Sequence, residues 1–138
     1  MKLLLKIALA AAFLHTGPAF AAPAPKAAVA SPEVKKEFEG FIAKFRAAVK
    51  ANDSTAVAGM TQLPFMKDTA IGDAAQFRDK IYKDSFTAKT RACLQRSKAV
   101  FDRDGYNNDY YSIFCGEDIF VFTRTPAGFL FTDISVND

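Results

Sequence analysis

The sequence predicts an α+β domain with N-terminal helices packed on a bent, C-terminal antiparallel β-meander. Two observations carry that expectation. Up to about residue 97 the apolar residues recur at intervals of three and four, the spacing of one helix face. Beyond residue 97 the period falls to two, and Asp104-Gly105, Gly116-Glu117-Asp118 and Pro126-Ala127-Gly128 divide the chain into short alternating segments.

The first 21 residues read as a secretory signal peptide. Lys2 and Lys6 charge its start, Leu3 to Leu14 form its apolar stretch, and Ala19-Phe20-Ala21 supplies the small residues of a cleavage site. A retained membrane anchor is the alternative reading, but the stretch is shorter than the roughly 20 residues that a spanning helix needs. No cysteine follows it, so lipoprotein attachment is not available. Residues 22–31, with Pro23 and Pro25, form an Ala/Pro tether too poor in apolar bulk to pack. A single domain over residues 32–138 follows.

Ser31-Pro32-Glu33 opens the first helix with an N-cap, a proline at the first helical position and an acid that complements the dipole. Val34, Phe38, Phe41, Ile42, Phe45 and Val49 form its apolar stripe. Lys35, Lys36, Glu39, Lys44, Arg46 and Lys50 occupy the other face, so the helix is amphipathic from about residue 33 to 51. Asn52-Asp53-Ser54 ends it and caps a short helix carrying Ala56, Val57 and Met60. Leu63-Pro64-Phe65-Met66 is apolar and broken by proline, which suits a short edge strand or an extended connection. Asp73 caps a third helix with Phe77, Ile81, Tyr82 and Ser85 inward, and Ser85 or Thr87 caps a further one reaching about Ser97. The strands then run from about Ala99 to Arg103, Tyr110 to Cys115, Ile119 to Thr125 and Phe129 to Val136. Ile119 and Val121 alternate with Phe120 and Phe122, so both faces of the sheet carry apolar groups. One face packs on the helices; the other is partly covered or lines a cavity.

Composition removes several function classes. The single histidine, His15, lies in the leader, so the mature chain lacks imidazole for triads, dyads, proton shuttles or zinc. Removing 21 of 138 residues leaves 117, enough for one core. Without Lys2 and Lys6, 16 basic residues face 15 acids, which gives no basic patch for nucleic acid and no steering towards a membrane surface. Cys93 and Cys115, an even pair in an exported chain, are expected to form a structural disulfide rather than two buried thiols. The 21 residues between them exclude a C-x-x-C redox motif.

The helix over Phe38 to Val49, the segment Phe77-Arg78-Asp79-Lys80-Ile81, the run Tyr110 to Phe122 and the ending Gly128 to Ile134 together resemble the nuclear transport factor 2-like superfamily, as a small exported bacterial member. The resemblance implies a cystatin-like cone of helices around a curved sheet. That superfamily includes isomerases, dehydratases, cyclases, binding modules and immunity proteins, so the fold leaves function open. Its His-Asp chemistry is unavailable here. Its steroid-isomerase type uses a tyrosine with two acids, a pattern that Tyr82, Tyr106, Tyr110 and Tyr111 do not reproduce residue by residue.

Asp102-Arg103-Asp104-Gly105-Tyr106-Asn107-Asn108-Asp109 is the most site-like stretch, and its oxygens suit calcium. Aligning Gly105 with the EF-hand glycine puts Val100 and Tyr111 at ligand positions, where neither fits, so a solvated hairpin loop is the competing reading. The 14 phenylalanines are read mainly as core, with Tyr82 and Tyr110 as candidate pocket hydroxyls. The lysines of the first helix read as a solvated face, with a docking surface for an acidic partner as the alternative; Glu117-Asp118 reads as a turn and Arg124 as an outward sheet charge. The expected function is a non-catalytic binding module without cofactor or metal, holding a small apolar ligand or an envelope protein. A homodimer through the sheet is a further arrangement. The alternatives are a cofactor-free isomerase or cyclase with a Tyr/Asp pocket, and an immunity or inhibitor protein against a secreted toxin. The expected location is periplasmic or secreted.

Overall fold

The computed structural model describes residues 17–24 and 26–138, so most of the expected leader, with His15, lies outside the described residues. The described residues before Ser31 carry no helix or strand, and Ala30 packs against the core. The rest is α+β: helices followed by a four-stranded antiparallel sheet in the order β1-β2-β3-β4.

Helix α1, Pro32–Lys50, begins at Ser31, whose Oγ accepts from the Val34 amide at 3.2 Å. Val34, Phe38, Ile42, Phe45, Ala48 and Val49 are buried along one stripe. The expected polar face is corrected at Arg46. Its Nε and Nη2 donate to the carbonyls of Leu94 and Ser97 at 2.9 and 2.6 Å. The long side chain thus satisfies orphan carbonyls at the end of a neighbouring helix instead of facing water.

Asn52, in the left-handed region at φ 53°, turns the chain, and Asp53 Oδ1 accepts from the Ala56 amide at 3.0 Å to cap α2, Ser54–Gly59. The strand or extended connection expected at Leu63–Met66 is not formed. The Leu63-Pro64 bond is cis, and Phe65–Lys67 coils into a 3-10 turn, with Met66 and Lys67 at positive φ. The cause is Phe65, which enters the core and places its ring 5.3 Å from Phe77 and 5.1 Å from Phe131. Strand-like pairing occurs slightly earlier, where the Phe131 amide donates to the Met60 carbonyl and the Gln62 amide to the Phe131 carbonyl.

A second 3-10 turn, Thr69–Ile71, follows Asp68, and Asp73 then caps α3, Ala74–Phe77. Helical backbone continues through a π turn, Arg78–Tyr82, into α4, Lys83–Ser85. The π turn departs from the regular helix expected here. It adds one residue to the repeat and lets Phe77, Tyr82 and Phe86, spaced by five and four, all point inward. Ile81 and Ser85 are only half-buried. Thr87 caps α5, Ala88–Arg96, on which Leu94 is buried.

The meander comprises β1, Val100–Arg103; β2, Asp109–Cys115; β3, Asp118–Thr125; and β4, Gly128–Val136. Gly116 and Gly128 take positive φ at the hairpin turns, which glycine does without steric cost. Tyr111, Ile113, Phe120, Phe122, Phe129 and Phe131 form the buried inner face. Phe38 of α1 stacks on Tyr111 with centroids 3.7 Å apart, and Phe45 meets Phe122 edge-on at 4.9 Å. Between β3 and β4 a bulge leaves Thr132 unpaired, with Val121 opposite Asp133 but Phe122 opposite Phe131.

Phe131 has six rings within 5.1–6.2 Å, those of Phe45, Phe65, Phe77, Phe86, Phe120 and Phe122. Phe131→Ala should therefore lower stability by about 3–5 kcal/mol in urea unfolding, and a loss below about 1 kcal/mol would contradict this packing.

Candidate functional site

Cys93 of α5 and Cys115 at the end of β2 form a disulfide with Cα atoms 5.8 Å apart, and no described cysteine is free. The bond points to an oxidising compartment. It ties α5 to the sheet beside Leu94 and encloses the whole of β1.

The interior is occupied by phenylalanine. An unbroken series of ring contacts runs from Phe38 through Phe122 and Phe131 to Phe77, with centroid separations of 5.6–6.2 Å. The chemistry-bearing side chains lie outside that mass, on one sheet face and in two open clefts.

Tyr82 and Tyr110 lie in different places. Tyr82 stacks on Phe86 at 4.6 Å and 10°, and its hydroxyl donates to Asn52 Oδ1 at 2.8 Å. It lines a cleft of about 440 Å³ with Arg78, Asp79, Lys83 and Arg91. Burial raises its phenol above the ordinary value, with nearby Arg91 opposing the shift and Asp53 adding to it. Tyr110 stands on the outer face of the sheet, cross-strand from Asp102 and Thr123. Burial pushes its phenol up as well, helped by the Asp102 carboxylate. Tyr111, on the inner face, is raised by burial and then by Glu39 and Asp109.

The Asp102–Asp109 stretch spans the end of β1, the hairpin loop over residues 104–108 and the first residue of β2. Asp104 Oδ1 accepts from the amides of Tyr106 and Asn108 at 2.9 and 2.8 Å, and Oδ2 accepts from Asn108 Nδ2 at 2.9 Å. These bonds, led by the Asn108 side chain, lower the Asp104 carboxyl below its ordinary value. Its oxygens are thus engaged in shaping the loop. Arg103 pairs with Asp109 at 2.8 Å. Among the described residues no group of three potential ligands converges to hold a metal ion.

Arg124 is not an outward sheet charge. Its position on β3 shares the side of Phe120 and Phe122, so it reaches across to α1, where Nε and Nη2 contact Glu37 Oε2 at 2.8 and 2.7 Å. Glu33 is 3.5 Å away, and the Glu37 hydrogen bond holds the guanidinium above its usual value. Sequence spacing had a signal for this pair: Arg124 follows the parity of the buried phenylalanines. The second cleft, about 450 Å³, borders this ion pair and the hairpin loop.

The outer sheet face combines apolar exposure with one unsatisfied group. Val100 and Phe114 are 52% and 46% exposed, Ile119 and Val121 are half-buried next to them on β3, and Leu130 is half-buried on β4. Thr123 and Thr132 share a 2.8 Å hydrogen bond there. Asp133 is held beside them by the bulge; its Oδ2 accepts from Ser135 Oγ at 3.3 Å, while Oδ1 is buried without a donor. Such an atom costs free energy until a donor reaches it.

Two outcomes follow from these features. Replacing both cysteines by serine should cost about 3 kcal/mol of stability, the value for a loop of about 23 residues, and thiol labelling of the unreduced, unfolded protein should find no free sulfur. Tyr82, Tyr110 and Tyr111 hold folded phenol values above the ordinary 10.0, so the native state keeps protons that the unfolded chain releases. Stability should be intact below about pH 10 and fall as pH rises towards the folded values, and Tyr82→Phe should flatten the decline. A stability constant up to about pH 11 in urea titrations would contradict that linkage.

Comparison of the chain with protein-family models, with curated proteins and with solved structures finds no match in any of the three.

Proposed function

We propose that the chain is an exported, non-catalytic binding module that docks an envelope protein through the outer face of its sheet. Its leader would be cleaved between Ala21 and Ala22, delivering the domain to the periplasm or beyond. The observation that carries the reading is the outer face itself: exposed Val100 and Phe114 on the adjacent strands β1 and β2, with half-buried Ile119 and Val121 next to them on β3. A partner offering an apolar patch of its own would bury these side chains. The resemblance to the nuclear transport factor 2-like superfamily, which includes binding modules, belongs to this proposal, and the phenylalanine-filled interior favours a protein over a small apolar ligand held inside. An isomerase or cyclase would need a phenol and a carboxylate converging in one enclosed site, whereas Tyr82 and Tyr110 occupy separate surfaces.

A photo-crosslinking residue at position 114, in protein exported by its own host, should yield one discrete heterologous adduct. Val100→Lys should abolish the adduct, and a crosslinker at Lys44 on α1 should give none. Equal adducts from both positions would overturn the docking face. A self-adduct alone would replace the envelope protein by a second copy of the chain.

A further inference from the structure

The Tyr82 cleft carries a charge arrangement that folding does not explain. Arg78, Lys83 and Arg91 line it against a single acid, Asp79. The ion pairs among the described residues involve Lys35, Arg103 and Arg124, and none involves these three cations. Each arginine is anchored by one nitrogen only. Arg78 Nη1 donates to Thr55 Oγ1 at 3.1 Å, and Arg91 Nη1 donates to the Phe86 carbonyl at 2.7 Å. The remaining donors of both forks are uncommitted within the described residues.

The backbone holds this arrangement in place. In the π turn the Lys83 amide donates to the Arg78 carbonyl, so the two cations stand one turn apart on the same side of the rod, with Tyr82 beside them. Like charges one turn apart are unfavourable by themselves. Arg91 approaches from α5, a separate element, and Tyr82 with Asn52 supplies a fixed neutral contact at 2.8 Å. Cations drawn from two elements, without internal carboxylate partners, around an open cleft of about 440 Å³, are what an anion would stabilise.

We propose that this cleft binds a small organic oxyanion, a carboxylate or a phosphate ester, held by the free donors of Arg78 and Arg91 with Lys83 as a further charge. The site is independent of the sheet face and stands whether or not that face docks a protein.

Amide chemical shifts of the purified full chain, titrated at constant ionic strength with inorganic phosphate and separately with benzoate, test the proposal. Saturable shifts at residues 52–54, 78–86 and 91 are expected with at least one probe. Arg78→Gln and Lys83→Gln should each weaken binding about tenfold, the loss of one charge-assisted contact, while Arg124→Gln should leave it unchanged. Neither substitution removes a buried contact, and thermal melts identify any variant that unfolds; the other then decides. Saturation by phosphate alone assigns a phosphate ester, by benzoate alone a carboxylate, and by both an oxyanion site of either kind. Linear, non-saturating shifts with both probes, or saturation that neither cleft variant weakens, would overturn the site.

Discussion

The packing of Phe131 is the constraint on which the rest of the structure depends. Its ring touches residues from α1, the 3-10 turn at Phe65, α3, the end of α4 and the neighbouring strand β3. Other ring pairs, such as Phe38 on Tyr111 and Phe45 on Phe122, join one helix to one strand, whereas Phe131 gathers several elements at a single point. The β4 residue also exchanges hydrogen bonds with Met60 and Gln62, so the same position joins the hydrophobic centre to the covered edge of the sheet. Phenylalanine suits this role because a flat ring contacts several neighbours at edge-to-face or tilted angles without a polar atom to satisfy. An interior of this kind is dense, and that density moves the interesting chemistry to the surface.

Long-range arginine contacts then fix how α1 lies on the rest of the molecule. Arg46 reaches the C-terminal carbonyls of α5, and Gln95 returns a bond to the Arg46 carbonyl at 2.8 Å. Near the helix's other end, Arg124 meets Glu37. One clasp is a neutral-to-charged capping contact and the other an ion pair, and between them lies the aromatic stripe. The helix is thereby held in rotation as well as in position. A turn about its own axis would break both clasps before it exposed a ring.

Much of this was legible in the sequence because the governing signals are local. Ser31, Asp53, Asp73 and Thr87 cap helices where their side chains suggest, and the period-two alternation locates all four strands to within a residue or so. An even pair of cysteines behind an expected leader likewise indicated their own pairing. The misread segments are those where distant atoms decide. Pro64-Phe65 looks extended until the pocket between Phe77 and Phe131 is known, and Arg46 looks solvated until α5 ends beside it. The π turn had a trace in the five-residue interval from Phe77 to Tyr82. The cationic cleft had none, because its members come from segments that only tertiary folding brings together.

The covalent ring closed by Cys93 and Cys115 contains β1, the border strand with no neighbour on one side among the described residues. A border strand is ordinarily the part of a sheet that peels off and recruits another molecule. Here it is tethered through the tail of α5 before it and through β2 after it, so it cannot leave without carrying a helix along. The sulfur bridge thereby restrains the strand whose free backbone edge could otherwise recruit another chain.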